Sequence, residues 1–329
     1  MNILVSAAGR RVRLVQLFRE AVTRLGLPSK VYACDSSPMS AALYAADEYF
    51  LVPPACDPEH IPFLLGLCAD RQIEIVVTVN DAELIAYAEA RDPFEEQGTT
   101  IAIPSAAGVR MTRDKRATYE WFVKNEFPAP RRWPADPPPP ASQLPFPVIV
   151  KPARGSAGIG VRLVHSAEQL KAALDATVDP VIEERQTGRE FTVNVLASKD
   201  GQLVCAVPHL RLETRAGEVS KGRTFRHGEL SRLAHRLVQL LPGCRGPLNF
   251  QGFLDASGGV RLTEINARFG GGYPLAHAAG ARFPDWLLME RMGQRIPRDF
   301  ADWRPDTVML RYDMEIIGRQ IAPDRIELP

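Results

Sequence analysis

A single lysine at the end of an apolar run, followed at once by a glycine-rich loop, could hold a polyphosphate. In the stretch VIVKPARGSAGIG, Lys151 ends a run that begins at Val148, and Gly155, Gly158 and Gly160 follow it. A lysine supplies a fixed positive charge, and glycine backbones let their N–H groups approach phosphate oxygens closely. The loop lacks the Lys-Ser or Lys-Thr pair that ends a Walker A motif, so a nucleotide bound here would be held in another way.

A second group of residues offers oxygen ligands for a metal. The segments NFQGFL and VRLTEIN are predicted strands joined by the turn sequence DASGG, which indicates an antiparallel hairpin. Glu264 and Asn266 are two residues apart and share a face, and Gln251 falls within about one residue of facing Glu264. With Arg268 nearby, these residues suit Mg²⁺ held jointly with phosphates. An exposed polar face of a surface hairpin would show the same pattern, because antiparallel sheets often solvate one face.

The elements that must position these residues begin with a series of strands and helices. Apolar runs predict strands near residues 3–6, 31–34, 49–52, 73–79 and 100–105, and residues 12–22 have helical spacing. Asn80 and Asp81 are predicted to cap the helix that follows the fourth strand. Such alternation predicts a parallel sheet with helices on its faces.

The first turn of this series raises the alternative of a dinucleotide site. Asp35 ends the second predicted strand, where a ribose-binding acid would lie. The turn after the first strand, SAAGRR, has one glycine where the dinucleotide fingerprint has three. Asp35 would then only cap a turn, and a nicotinamide-dependent enzyme using this domain is the weaker interpretation.

The middle of the chain predicts a helix, a connector and a strand pair. TRDKRATYEWFVK is predicted to be one helix with Thr112 as its N-cap and Lys115 in its first turn. The run ADPPPPASQLPFP is a stiff extended connector. In PVIEERQTGREFTVNVLA, Glu183, Glu184 and Glu190 lie between two predicted strands, although each glutamate alone would also suit an exposed surface.

Composition limits the partners. The 329 residues suggest two or three domains, and 40 basic against 39 acidic residues leave a net charge of +1, so nucleic acid and anionic membranes are not expected partners. Five cysteines without a CxxC pair indicate free thiols in a reducing compartment. No apolar run approaches the roughly 18 residues of a membrane helix. The sequence therefore predicts a cytoplasmic protein.

The order of these motifs resembles the ATP-grasp superfamily. Lys115, VIVKP, the glycine loop, IEERQTGREF, NFQGFL and TEINARFGGG occur in the family's order over nearly the whole chain. The chain looks most like single-copy relatives of the carbamoyl-phosphate synthase large subunit and other carboxylate-amine ligases. The resemblance implies an α/β and α+β fold, with a Rossmann-like pre-ATP-grasp domain (residues 1–108) before a two-lobed ATP-grasp fold. The first lobe, with the glycine loop, would span residues 109–185, and the second, with the metal site, residues 186–329.

The resemblance also implies roles for particular residues. It assigns ATP binding to Lys115, Lys151, Gly155, Ser156, Ala157, Gly158, Glu183, Glu184, Gln186 and Glu190. It assigns Mg²⁺, with Mn²⁺ as an alternative, to Gln251, Glu264 and Asn266. Arg268 and Lys151 would be the catalytic residues, steadying the transferring phosphate. Many family members have a carboxylate where Gln251 stands, but the branch resembled here shares the glutamine.

The activity implied by the resemblance is ligation of a carboxylate to an amine. ATP would phosphorylate the carboxylate to an acyl phosphate, releasing ADP, and the amine would then displace phosphate. Small-molecule acids and amines are the expected partners, and a homodimer is an expected assembly. Substrate contacts are predicted for Arg211, Arg215, Lys221, Arg223, Gly270 and Gly271, although exposed surface charge explains the basic ones equally well. An ATP-binding module or partner subunit without ligase activity is the alternative.

Overall fold

A five-stranded parallel sheet forms the N-terminal part of the chain in a computed structural model that describes residues 1–155 and 158–328. Its order is β3-β2-β1-β4-β5, and Ile3 lies between Val31 and Ile75 on the neighbouring strands. The strands are β1 (Asn2–Ser6), β2 (Val31–Asp35), β3 (Glu48–Leu51), β4 (Ile73–Thr78) and β5 (Thr100–Ile101). The helices are α1 (Val12–Arg24), α2 (His60–Asp70), α3 (Leu84–Glu89) and α4 (Arg91–Glu96). The parallel sheet predicted from the alternating pattern is confirmed.

The turns at the carboxyl end of this sheet differ in part from the prediction. Asp35 accepts hydrogen bonds from the backbone N–H groups of Gly9 at 2.8 Å and Ser37 at 3.1 Å, so it caps the turn and both its carboxylate oxygens are used. The prediction that Asn80 and Asp81 cap the next helix is wrong, because α3 begins at Leu84. Asn80 instead closes a local turn, and Asp81 is free to reach a distant arginine.

Two short helices, not one, lead into the next sheet. They are α5 (Ala106–Arg113) and α6 (Lys115–Lys124). Asp114 has extended backbone angles, and its carboxylate accepts from the N–H of Arg116 at 2.9 Å, which makes it the N-cap of α6. The prediction of Thr112 as N-cap is therefore wrong, and the Thr112 hydroxyl donates to the Val109 carbonyl at 3.0 Å. The break places Lys115 at the first position of a helix.

A small antiparallel sheet and one helix form the next layer. Its order is β6-β9-β7-β8, and its strands are β6 (Arg132–Trp133), β7 (Val148–Pro152), β8 (Arg162–Val164) and β9 (Pro180–Glu184). Helix α7 (Ala167–Asp175) packs on it through buried apolar residues. Lys151 is the fourth residue of β7 and pairs in register with Val181 of β9. The sheet thus brings the predicted lysine next to the strand that carries the predicted glutamates.

A larger antiparallel sheet carries the second group of predicted residues. Its order is β14-β13-β10-β11-β12-β15. The strands are β10 (Arg189–Ala197), β11 (Leu203–Arg215), β12 (Glu218–Thr224), β13 (Gly246–Leu254), β14 (Val260–Asn266) and β15 (Val308–Leu310). Its apolar face, with Phe191, Val193 and Phe250, packs on α8 (Gly228–Leu240). Alternation turns Thr192, Asn194 and other polar side chains to the opposite face.

The polar face of this sheet lies towards the N-terminal parallel sheet. One buried apolar cluster joins the two, with Phe18 of α1 in edge-to-face contact with Phe269 at 6.0 Å between ring centroids. Helices α9 (Tyr273–Ala278) and α10 (Phe283–Arg291) fill this junction, where Arg24 forms a two-point ion pair with buried Asp285. The shared core holds the loops of the first sheet over the polar face of the last.

The C-terminal residues form a hairpin that is almost entirely exposed. Its strands are β16 (Arg319–Ala322) and β17 (Arg325–Glu327). Tyr312, Met314 and Ile317 in the preceding segment are each 75% exposed. In the described ranges, no helix combines the length and apolar content that crossing a membrane requires.

Candidate active site

A cavity of about 200 Å³ lies between the polar face of the large sheet and the loops of the parallel sheet. It brings together many residues that the sequence had singled out, from four separate segments. Those lining it are Gly155, Arg211, Gln251, Glu264, Asn266, Arg268, Gly270 and Gly271. The cavity is also lined by residues that were not predicted for this site. Among them are Arg11, Asn80 and Asp81 from the loops of the N-terminal sheet.

The predicted metal ligands are adjacent. Gln251 and Glu264 are direct partners in the β13–β14 ladder. The amide nitrogen of Asn266 donates to Glu264 Oε1 at 3.2 Å and to Asn249 Oδ1 at 3.3 Å, which orients the Asn266 side chain. The hydrogen bonds of the described residues leave the Asn266 Oδ1 and the Gln251 side chain unused.

This donor set fits a hard cation. One carboxylate and two amide oxygens at an open cavity suit Mg²⁺, which takes few protein ligands and keeps substrate oxygens. Within the described chain, no cluster of three or more His, Cys, Asp or Glu residues could hold a metal ion.

Arg268 is fixed by a residue of the other sheet. Its Nε and Nη2 donate to the two carboxylate oxygens of Asp81 at 2.9 and 2.7 Å, and its Nη1 donates to the Phe269 carbonyl at 3.1 Å. These bonds use three of the five guanidinium N–H groups and leave two for a ligand. The position of Asp81 after a parallel strand was a signal for such a role, since functional side chains collect at the carboxyl ends of these strands.

The two predicted lysines differ in their surroundings. Lys115 Nζ donates to the Gly155 carbonyl at 3.0 Å, and burial lowers the pKa of Lys115 from its ordinary value. Lys115 lines a small space together with Gly155 and Glu264, which connects the glycine loop to the metal ligands. Lys151 is buried, and its Nζ donates to Glu183 Oε1 at 2.7 Å.

Glu183 is a support for Lys151 and does not face the cavity. It is 3% exposed, and its second oxygen accepts from Arg132 Nε at 2.6 Å. Burial raises the pKa of Glu183, but Lys151 and Arg132 outweigh burial and bring it below its ordinary value. The assignment of Glu183 as an ATP ligand is therefore corrected, because both its oxygens are used inside the lobe. Arg132 follows a stretch of irregular sequence, and no local pattern predicts its role.

The remaining predicted nucleotide residues lie along the link between the two antiparallel sheets. Glu184 is half-buried, and its Oε2 accepts from the Arg131 N–H at 3.1 Å. Gln186 donates to the Glu184 carbonyl at 3.4 Å, and Glu190 forms an ion pair with Arg211 at 2.9 Å. The predictions for Ser156 and Ala157 lie outside the described residues.

The four basic residues predicted to contact substrate separate into two groups. The Arg211 side chain is 8% exposed, lines the cavity and donates to the Gly217 carbonyl at 2.9 Å. Arg215, Lys221 and Arg223 lie outside the cavity with half-exposed or exposed side chains, paired with acidic residues such as Glu213 and Asp306. Their assignment as substrate ligands is corrected, because the register shifts after Arg211 and the hairpin continues into solvent.

The glycines at 270–272 allow close packing beneath the cavity. A Cβ atom on Gly271 would lie 2.7 Å from Arg11 Nη1 and from Glu218 Oε2. On Gly272 it would lie 2.7 Å from His209 Nε2. These distances are below van der Waals contact. The ends of the Arg11 and Glu218 side chains could shift, whereas the His209 ring is buried, so the need for glycine is strongest at Gly272.

His209 is a fully buried imidazole on the polar face. Its Nδ1 lies 3.2 Å from Asn194 Nδ2, and no described residue forms a hydrogen bond with its Nε2. Burial, assisted by the nearby charge of Arg211, lowers the pKa of His209 to about 3. The neutral ring therefore supports the glycine loop at neutral pH.

Acidification should destabilise the protein partly through His209. An unfolded histidine has a pKa near 6.5, so between about pH 6.5 and pH 3 only the unfolded chain binds this proton, and stability falls as pH is lowered. Between pH 7 and pH 5 we expect a loss of about 2 kcal/mol from this group. Urea unfolding at both pH values should show His209→Gln losing about 2 kcal/mol less than the wild type. An unchanged pH dependence in His209→Gln would contradict the prediction.

Two protein-family models match this chain. Residues 3–102 match the PylC-like N-terminal domain model, and residues 112–272 match the ATP-grasp domain model. Residues 112–272 form an ATP-grasp domain. The resemblance and the fold class predicted from the sequence are thereby confirmed. The lysine, glycine-loop and metal-ligand segments all fall within this domain.

The relatives of this chain include several ligases. The chain is 31% identical over 139 residues to the D-alanine–D-alanine ligase of Actinobacillus succinogenes, covering 38% of this chain and 45% of that protein. It is 22% identical over 257 residues to the 3-methyl-D-ornithine–L-lysine ligase of Methanosarcina mazei, covering 75% and 61%. The chain spans about half the length of the first curated relatives that it matches.

A solved structure has the same fold over nearly the whole of this chain. The biotin carboxylase domain of the Hydrogenobacter thermophilus 2-oxoglutarate carboxylase superposes with a TM-score of 0.73 at 17% identity. The match covers 93% of this chain and 73% of that one. That structure is a dimer in complex with MgADP and bicarbonate.

Proposed function

We propose that this ATP-grasp protein is an ATP-dependent carboxylate-amine ligase that works through an acyl phosphate and releases ADP and phosphate. The observation that carries the proposal is the meeting of Gln251, Glu264 and Asn266 with Arg268 in one cavity, beside Lys115 and the glycine loop. The relatives that are ligases support it. A small acid and a small amine are the proposed substrates.

The oxygen ligands of the large sheet are the proposed metal site. Glu264, with the amide oxygens of Gln251 and Asn266, would hold Mg²⁺, which neutralises charge on phosphate oxygens when bound. Mn²⁺ could take the same oxygen ligands. Asn249 is 1% exposed and donates to the Arg268 carbonyl at 3.1 Å, so it links the metal ligands to the arginine.

The cationic residues account for positioning of the phosphates. Lys115, beside Gly155 and Glu264, and Lys151 of β7 would bind the phosphates from one side, and the two unused N–H groups of Arg268 would bind them from the large sheet. Lys151 itself is not among the residues that line the cavity. Preorganised positive groups stabilise the charge that develops on a transferring phosphoryl group. Arg268 is held by Asp81 before substrate arrives, so it needs no reorganisation during the reaction.

The proposed reaction has two steps. A substrate carboxylate oxygen attacks the γ-phosphorus, the bond to the bridging oxygen breaks, and ADP leaves. The amine nitrogen then attacks the acyl carbon, phosphate leaves, and the nitrogen loses a proton. Exclusion of water from the cavity would protect the acyl phosphate from hydrolysis.

Release of ADP by the purified protein tests the proposal. The assay supplies Mg²⁺-ATP with amino acids and small carboxylates, singly and in pairs, and a parallel series omits the metal. We expect ADP release that needs one acid, increases with one amine and stops without metal. Tight nucleotide binding without ADP release from any pair would favour the alternative, an ATP-binding module without ligase activity.

Several further features remain proposals. We propose that residues 1–108, 109–185 and 186–329 are the three structural units, which agrees with the division of the strands among the sheets. Glu184, Gln186 and Glu190 are the proposed adenine and ribose contacts. The five free cysteines support a reducing, cytoplasmic location. A homodimer is the proposed assembly.

A further inference from the structure

Three arginines converge on the carboxylate of Glu218, which lines the same cavity as the candidate metal ligands. Arg11 donates to both oxygens of Glu218, from Nη1 at 2.6 Å and from Nη2 at 2.5 Å. Arg10 Nη2 lies 3.2 Å from Oε1, and Arg311 Nη1 donates to Oε2 at 3.0 Å. The arginines come from the first turn of the N-terminal sheet and from the C-terminal segment, so the fold assembles this cluster from distant parts of the chain.

The cluster has more positive charge than Glu218 can balance. Among the described residues, Arg10, Arg11 and Arg311 have no acidic partner within 4.0 Å other than Glu218. The other arginines of the cavity lie beside other carboxylates, Arg268 at Asp81, which is also 3.7 Å from Arg113, and Arg211 at Glu190. Three guanidinium groups on one carboxylate leave a net charge of about +2, which favours binding of a further anion.

The cluster is within reach of the reacting centre. Arg311 Nη2 donates to the Gly271 carbonyl at 2.6 Å, and Arg11, Glu218, Gly271 and Arg268 line the same cavity. Gly271 is three residues from Arg268, so their Cα atoms are at most about 11 Å apart. A small molecule with an anionic group at each end could span that distance.

Glu218 is placed in the cavity by a tight turn. Ala216 and Gly217 both have positive φ, 46° and 74°, as in the two-residue hairpin turns that connect adjacent strands. Arg211 holds the Gly217 carbonyl, so the cavity itself fixes the turn. The Glu218 carboxylate contacts the three arginines in the way that the carboxylate of a bound acid would.

We propose that Arg10, Arg11 and Arg311 bind a second anionic group, a carboxylate or a phosphate, on the acid substrate, and that Glu218 occupies their guanidinium groups until that substrate arrives. The inference rests on the proposed ligase function and narrows its acid substrate to molecules with two anionic groups. Glu218 then acts as an internal competitor, because an incoming anion must share or replace its bonds.

Binding of glutarate in the absence of ATP tests the cluster directly. Isothermal titration at constant ionic strength would compare glutarate with butyrate, which has one carboxylate, and with inorganic phosphate. We expect Glu218→Gln to bind glutarate about tenfold more tightly than the wild type, because the competing charge is gone. We expect Arg10→Gln, at the most exposed of the three arginines, to bind it more weakly. Butyrate should bind weakly to all variants, whereas tighter phosphate than glutarate binding would identify a phosphorylated acid as the substrate class.

A matched control variant separates the effect of removing Glu218 from the effect of changing the net charge of the protein. Glu213→Gln removes the same charge from the same hairpin, but Glu213 pairs with Lys221 outside the cavity. An equal gain in Glu213→Gln, or no gain in Glu218→Gln, would overturn the inference. ADP release with acids of one anionic group alone would also overturn it and leave the ligase proposal intact. A gain in Glu218→Gln without ADP release from any pair would support the anion site and count against the ligase.

Discussion

Replacement of Glu264 by glutamine should lower the rate of ADP formation by on the order of 10³-fold, the effect of removing one preorganised electrostatic group from a reacting centre. Glu264 is the one carboxylate in the proposed metal set, and its neighbours Gln251 and Asn266 contribute only neutral oxygens. Glutamine keeps the size of the side chain and can still accept from Asn266, so the fold should be preserved. Steady-state ADP release at saturating ATP, measured over a range of Mg²⁺ concentrations, provides the rate.

Two further variants sharpen this test. Glu213→Gln removes one negative charge from the same sheet outside the cavity and should retain the wild-type rate. Gln251→Glu adds a carboxylate directly opposite Glu264 and should lower the Mg²⁺ concentration needed for half-maximal rate. A Glu264→Gln protein with full activity would exclude Glu264 as a metal ligand and would remove the main support for the proposed chemistry.

The sequence predicted the parts of the site that depend on local spacing. Alternation along a strand places Glu264 and Asn266 on one face, and the turn between β13 and β14 places Gln251 opposite Glu264, as the structure shows. The position of Lys151 at the end of an apolar strand, with glycines after it, could also be predicted because it depends only on local sequence. Short-range periodicity and turn chemistry are enough to predict such arrangements.

The parts that escaped prediction depend on pairs of residues far apart in the chain. Asp81 and Arg268 are 187 residues apart, and Arg11 and Glu218 are 207 apart. Each such pair is created by the packing of one sheet against another, and no local pattern specifies which arginine meets which acid. The same limit explains the error at Glu183, since its partner Arg132 lies 51 residues earlier on a strand of only two residues.

The second large expected effect is a loss of stability on replacing Glu183, because its buried carboxylate balances two cations in the small antiparallel sheet. Lys151 and Arg132 both bind its carboxylate, and their side chains are 10% and 7% exposed. Replacing Glu183 by glutamine leaves these two charges without a counter-ion, a change that typically costs 3–5 kcal/mol, so we expect a loss of about that size. Hydrogen exchange of the β7 and β9 amides would report the loss within this lobe.

The adjacent residue of the same strand provides the control for this prediction. Glu184→Gln alters the same charge one residue later at a half-buried position, and it should leave exchange in β7 and β9 near the wild-type rate. Combining Glu183→Gln with Lys151→Met removes one of the stranded cations and should recover part of the lost stability, because an apolar side chain needs no counter-ion. ATP binding should not recover with it, since Lys151 is a proposed phosphate ligand. Recovery of both properties would mean that Lys151 serves only the stability of the lobe, whereas equal stability of Glu183→Gln and Glu184→Gln would show that the buried carboxylate is not needed to balance the two cations.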